Sequence, residues 1–228
     1  EAKIIRIDRD STRRKGSMQT MLENIHLGDA DILIGTQMLA KGHHFPNVTL
    51  VGIVDADGGL FSVDYRASER MAQMLVQVSG RAGRSDRTGT VIVQTHYPDH
   101  PLLNKLARHD YGQYTQSLLE ERKQAQLPPF SYQALLRAES NKQHVAVKFL
   151  NIARARLQAF TGGKLDIYGP ISAPMEKRAG RYRFQLLIQS GNRQIMKRIL
   201  APWIYKLGNL PESRKVRWSL DVDPQEMI

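Results

Sequence analysis

The chain has 228 residues, 41% of them hydrophobic, no cysteine, and a formal net charge of +11. That length allows one large or two modest domains. No apolar run approaches a bilayer span, and without cysteine there is neither a disulfide framework nor a thiolate metal site. The excess of positive charge points to a polyanionic partner.

The opening Glu-Ala-Lys-Ile-Ile lacks an initiator Met and already reads as strand, so a fragment of a longer protein is expected. No signal peptide is visible, and a cytoplasmic address is expected. Residues 3–8 read as a buried strand, followed by a basic loop over 9–15. Ser17 is a candidate N-cap for a helix over 18–27, closed by Gly28. Short apolar strands follow at 32–34, 48–54 and 90–95. Between the last two lies RASERMAQMLVQV, with Met71, Met74, Leu75 and Val78 at helical spacing. Short apolar runs separated by helices predict a parallel sheet covered on both faces. In such sheets ligands sit at the carboxyl ends of the strands, where Thr36, Asp57 and Thr95 fall.

Two helices are predicted over 101–110 and 111–126, and the proline pair of LPPF stops the second. The charge balance changes at the same point. Residues 1–126 carry 16 basic and 15 acidic side chains, whereas residues 127–228 carry 17 and 7. The domain boundary is therefore placed between 126 and 127. The second half reads as strand 132–138, helix 145–160, strands 165–168 and 183–189, helix 193–207 and strand 216–222. That β-α-β-β-α-β order matches the split βαβ, ferredoxin-like plan.

Three stretches carry candidate chemistry. QVSGRAGR, residues 77–84, places Arg81 and Arg84 after a helix, each preceded by a glycine (Gly80, Gly83). Glycine permits close backbone approach, and arginine clamps phosphate through a planar fork. A helix running into a solvated basic loop would have the same spelling. GTQMLAKG, residues 35–42, puts Thr36 at a strand tip and Lys41 beside Gly42. That arrangement suits a phosphate and equally suits an ordinary strand-to-helix turn. KRAGRYRFQ, residues 177–185, interleaves Lys177, Arg178, Arg181 and Arg183 with Tyr182 and Phe184. Cations hold phosphate and aromatics stack bases, although a charged hairpin also protects a sheet edge. Arg181 and Gln185 fall on one face of a strand and Tyr182 and Phe184 on the other. Trp203 and Trp218 read as core. His43 and His44, being adjacent, lack the further ligands a metal needs. Asp64, Arg66, Glu69 and Arg70 alternate in sign and read as a structural ion-pair network.

The order of the first two motifs is that of the late motifs of superfamily 2 helicases. GTQMLAKGHHFPNVTLVGIVDAD, DYRASERMAQMLVQVSGRAGR and VIVQTHYPDHPLL resemble the second motor lobe of the PriA family of primosomal replication-restart DNA helicases. LPPF, KRAGRYRFQ and SRKVRWSLDVDP resemble that family's C-terminal domain. The resemblance spans nearly the whole chain and implies a RecA-like second lobe at 1–126 and a basic α+β domain at 127–228. It implies an ATP-dependent helicase that recognises stalled or recombined forks, binds forked or single-stranded DNA, assembles the primosome and reloads the replicative helicase near the nucleoid. Gln77, Arg81 and Arg84 then become catalytic, with Arg84 as the arginine finger. Gly42, Asp57, Gly80 and Gly83 would meet ATP with its Mg2+, and Thr36, Gln37 and Lys41 would meet DNA. Lys177, Arg178, Arg181 and Gln185 would receive the acidic tail of the single-strand DNA-binding protein.

The sequence also departs from that family. The phosphate-binding loop GxxxxGK[ST] and the acidic metal-holding motif, both of the first lobe, do not occur in it, nor do the cysteines of the family's zinc insertion. A missing first lobe is therefore expected to complete the ATP site. A non-catalytic basic DNA-binding or adaptor module, with the motor motifs kept as scaffold, is the alternative.

Overall fold

The computed structural model describes residues 2–8, 17–35, 48–79 and 89–225. The chain divides into two compact units, Glu1–Thr115 and Gln116–Ile228. The division falls inside a helix, Tyr111–Gln124, rather than at the proline pair where the charge balance changes.

In the first unit, β1 (Ile4–Ile7) is followed by α1 (Ser17–His26), β2 (Ile32–Gly35) and β3 (Leu50–Ile53). Then come α2 (Asp57–Leu60), α3 (Ala67–Ser79), β4 (Thr90–Val93), α4 (Pro101–Ala107) and the start of α5 (Tyr111–Gln124). β1 pairs in parallel with β2, Ile4 opposite Ile32, and β3 in parallel with β4, Leu50 opposite Thr90. Parallel neighbours need a crossover connection, and helices lie between the partners of each pair.

The core around β3 and α3 buries Ile53, Ala56, Met71, Leu75 and Leu103, with Met74, Val78, Val91 and Val93 packed against it. The helical spacing of Met71, Met74, Leu75 and Val78 thus becomes the face that α3 turns inward. Each fully buried side chain of this kind contributes about 1.5–3 kcal/mol. Gly59 lets α2 approach closely, since a Cβ there would stand 2.8 Å from the Met71 Cβ. Asp64, 1% exposed, organises the start of α3: its carboxylate accepts the Arg66 N–H at 3.0 Å and pairs with the Arg70 guanidinium at 2.6 Å. The alternating charges at this point are structural, as the sequence suggests. Tyr114, wholly buried, donates its hydroxyl to the Ser68 carbonyl at 2.6 Å.

The second unit carries β5 (Tyr132–Ser140), α6 (Gln143–Thr161), β6 (Asp166–Arg178), β7 (Arg181–Ser190), α7 (Arg193–Gly208), a 3-10 turn (Pro211–Lys215) and β8 (Arg217–Val222). The strands form one antiparallel sheet in the order β6-β7-β5-β8. Alternate residues of β5 (Ala134, Leu136, Ala138) and β7 (Phe184, Leu186, Ile188) enter the core beside Phe149, Leu150 and Leu157 of α6 and Leu200, Trp203 and Leu207 of α7. Trp203 is buried there and Trp218 packs against it, so both tryptophans serve the core.

β6 runs to Arg178 rather than ending at Tyr168, because it keeps pairing with β7 as far as Arg178 opposite Arg181. Two register shifts, Tyr168/Ile171 and Ser172/Lys177, bracket Pro170 and Pro174. An edge strand tolerates proline at such irregularities. Gly169, at φ 101°, makes the first of them possible, for a Cβ there would meet the Gln185 carbonyl at 2.9 Å.

Candidate functional site

Because β3 and β4 are parallel neighbours, their carboxyl ends lie side by side, and the pairing continues past both strands. Gln94 N–H donates to the Ile53 carbonyl at 2.9 Å and Ala56 N–H to the Gln94 carbonyl at 3.1 Å. This brings Asp57, the first residue of α2, against Thr95 and His96. The Thr95 hydroxyl donates to Asp57 Oδ1 at 2.5 Å, and Oδ2 accepts the His96 backbone N–H at 3.0 Å. The His96 ring Nδ1 lies 2.7 Å from the same Oδ2, with the imidazole 90% exposed. The Thr95 hydroxyl, followed by the His96 N–H, holds the Asp57 carboxyl below the ordinary carboxylate range, against a small opposing effect of burial. Thr95 was marked by its place after a strand. His96 was not singled out, and only its position next to Thr95 could have drawn attention to it.

Gln77 is exposed on the last turn of α3, on the side away from Met71 and Leu75. Gly80, Arg81, Gly83 and Arg84, which follow α3, lie outside the described residues. So do Thr36, Gln37, Lys41 and Gly42, which follow β2, and His43 and His44. Asp55 adopts φ 59° and accepts the Gly58 N–H on its Oδ1 at 3.2 Å, which shapes the turn between β3 and α2. Among the described residues, no cluster of three or more His, Asp and Glu side chains could hold a metal ion.

In the second unit, Lys177 and Arg178 are exposed on the hairpin, and the Lys177 ammonium stands 4.8 Å over the Tyr182 ring. Tyr182 and Phe184 turn toward the core, as their strand parity predicts. Arg181 is half-buried at the hairpin end of β7. Gln185 shares its face but is only 7% exposed, between Arg137 on β5 and Ile171 on β6. Four residues of strand separate the two side chains, and Gln185 is the more covered of the pair. Two cations that the sequence reading passed over, Lys142 before α6 and Lys215 at the end of the 3-10 turn, line the same concavity as Arg181.

Residues 2–86 match the helicase conserved C-terminal domain, and residues 123–225 match the primosomal protein N C-terminal domain. The chain is 48% identical to the replication restart protein PriA of Haemophilus influenzae, over 98% of this chain and 30% of that protein. It belongs to the PriA family. The PriA proteins of Rickettsia felis and Bacillus subtilis are 39% and 37% identical, over 99% and 100% of this chain. The chain spans about a third of the length of these relatives, which covers 34% of the Rickettsia felis PriA and 28% of the Bacillus subtilis PriA. Two separate family models meeting in one chain agree with its division into two compact units of mixed α/β structure. No helix among the described residues is long and apolar enough to cross a membrane.

Proposed function

We propose that this chain supplies the second motor lobe and the C-terminal domain of an ATP-dependent DNA helicase that restarts replication at stalled or recombined forks. The observation that carries the reading is the PriA likeness, which covers 98% of the chain and so takes in both units, together with the motifs GTQMLAKG and QVSGRAGR. The parallel pairs β1-β2 and β3-β4 support a RecA-like lobe. The antiparallel order β6-β7-β5-β8, with α6 and α7 sharing one core, supports a ferredoxin-like C-terminal domain.

In this reading Arg84 reaches the γ-phosphate as the arginine finger, Arg81 assists it, and Gln77 supports them from the exposed last turn of α3. Gly42, Asp57, Gly80 and Gly83 line the nucleotide, and Thr36, Gln37 and Lys41 hold the DNA backbone. Bound ATP with Mg2+ supplies the energy for strand separation. The residues here fit one wall of that site, and a first lobe carrying the phosphate-binding loop completes it. The zinc of the family belongs to segments outside this sequence, and a cytoplasmic, nucleoid-associated address follows from the same role. Lys177, Arg178 and Arg181 offer cations to DNA, to the acidic tail of the single-strand DNA-binding protein and to other primosome proteins, with Gln185 behind them as a sheet residue.

The test is to join the chain to the N-terminal part of a PriA relative and measure ATP hydrolysis with and without forked DNA. Strong stimulation by DNA supports the motor. A joined protein that binds DNA yet hydrolyses nothing supports the alternative, a basic DNA-binding adaptor, which the 17 basic against 7 acidic residues of 127–228 also fit.

A further inference from the structure

The antiparallel sheet of the second unit gathers basic residues at one of its ends. Ser140 ends β5 opposite Tyr182 near the start of β7, and Arg178 ends β6 opposite Arg181. Glu139 lies opposite Arg217 at the start of β8. The ends of β5 and β6 and the beginnings of β7 and β8 therefore share one edge. α6 begins there with no acidic residue in its first turn, and the side chain of its cap, Lys142, makes no capping bond.

At this edge Ser140, Asn141, Lys142, Val145, Arg181 and Lys215 line an open concavity of about 280 Å³. Its three cations come from three different elements. Three carboxylates of this sheet pair with other arginines: Glu139 with Arg183, Asp221 with Arg137, and Asp223 with Arg193. Glu212 shares the 3-10 turn with Lys215, and no ion pair among the described residues joins it to the hollow's cations. No ion pair or hydrogen bond engages the side chains of Lys142, Arg181 or Lys215 among the described residues. Three unneutralised cations facing one hollow repel each other, and an anion between them removes that repulsion.

We propose that this hollow seats one backbone phosphate of DNA, with the Arg181 fork on the non-bridging oxygens and Lys142 and Lys215 on either side. The proposal rests on the reading of this unit as a nucleic-acid-binding domain and identifies where that contact is made. The size suits it, being below the ~300–1,000 Å³ of pockets that enclose a whole small ligand, while the open mouth suits one group on a longer chain. The surroundings favour a phosphate backbone over an acidic peptide. Exposed Lys177 and Arg178 flank Arg181, and exposed Arg214 and Arg217 flank Lys215, so the cations continue on both sides as a repeating anion array requires. Val145 is the one apolar residue lining the hollow.

Fluorescence anisotropy of the 228-residue chain with a labelled random-sequence DNA duplex, repeated across a salt series, tests the seat. Arg181→Gln should weaken binding about tenfold or more, as loss of a charge-assisted bond does. The triple change Lys142→Gln, Arg181→Gln and Lys215→Gln should also reduce the salt slope by about 0.9, the value of one phosphate contact. Arg181→Lys keeps the charge and should keep the slope, yet bind several-fold more weakly because it lacks the planar fork. Arg156→Gln, on an exposed stretch of α6 away from the hollow, is the charge-matched control and should change affinity little. If the triple variant, folded by circular dichroism, binds DNA as Arg156→Gln does, there is no seat. Loss of a labelled acidic peptide with DNA binding intact would make the hollow a carboxylate site and overturn the proposal. If the parent chain binds no DNA at all, the nucleic-acid reading of this unit fails, and the seat with it.

Discussion

Asp57 and Thr95 stand 38 positions apart in sequence, yet the Thr95 hydroxyl donates to the Asp57 carboxylate at 2.5 Å. The contact exists because two parallel strands end side by side, and it couples the turn after β3 to the turn after β4. His96 closes the arrangement: its backbone N–H donates to the second carboxylate oxygen, and its ring Nδ1 lies 2.7 Å from the same oxygen.

This network gives stability a pH dependence of definite sign. The folded Asp57 carboxyl is held below its ordinary value, so its contribution is fully present above the unfolded carboxylate pKa, about 3.9. It fades as the pH falls through the lower folded value. Thr95→Val should therefore lower the melting temperature of the chain at pH 7, and the gap to the parent should narrow as the pH drops below 4. A gap that stays constant from pH 7 to pH 3 would mean that the hydroxyl is not acting on the carboxylate.

Gly59→Ala tests the approach of α2 to α3. The added Cβ would fall 2.8 Å from the Met71 Cβ, in a packed core, and should cost about 1–3 kcal/mol. Urea unfolding followed by circular dichroism reads the change directly. Met71→Ala in the same background removes the Sδ and Cγ contacts at 2.9 and 3.0 Å but keeps the Cβ at 2.8 Å, so it should relieve only part of the clash, and Met71→Ala alone is destabilising.

Tyr114→Phe removes a buried hydroxyl that donates to the Ser68 carbonyl at 2.6 Å. The Ser68 carbonyl, on the first turn of α3, loses this part-buried hydrogen bond, at a cost of about 0.5–1.5 kcal/mol. The expected result is a lower urea midpoint with an unchanged slope; an unchanged midpoint would show that the bond contributes nothing net.

Much of this architecture was legible in the sequence because its signals are periodic. Met71, Met74, Leu75 and Val78 announced α3 and its inward face, and the alternation of Tyr182 and Phe184 against Arg181 and Arg183 announced which side of β7 meets the core. Asp57 and Thr95 could each be placed after a strand. Their contact could not be foreseen, because it depends on which strands are neighbours, and neither residue's local spelling encodes that. β6 was read too short for a related reason: Pro170 and Pro174 look like breakers until an edge position and two register shifts accommodate them. The burial of Gln185 was hidden because strand parity gives the face a residue lies on but not how far along the sheet the neighbouring strands cover it. Lys142 and Lys215 escaped notice because they lie 73 residues apart and meet at Arg181 only once four strands have aligned.

The most direct test of the helicase reading is the rate of DNA-stimulated ATP hydrolysis by the chain joined to the N-terminal part of a PriA relative, compared between parent and Arg84→Ala. Loss of an arginine finger should reduce turnover by roughly 10³-fold or more, with DNA affinity nearly unchanged, and Arg81→Ala should show a smaller loss of the same kind. Near-parental turnover in Arg84→Ala would contradict the assignment of QVSGRAGR to the chemistry of ATP cleavage.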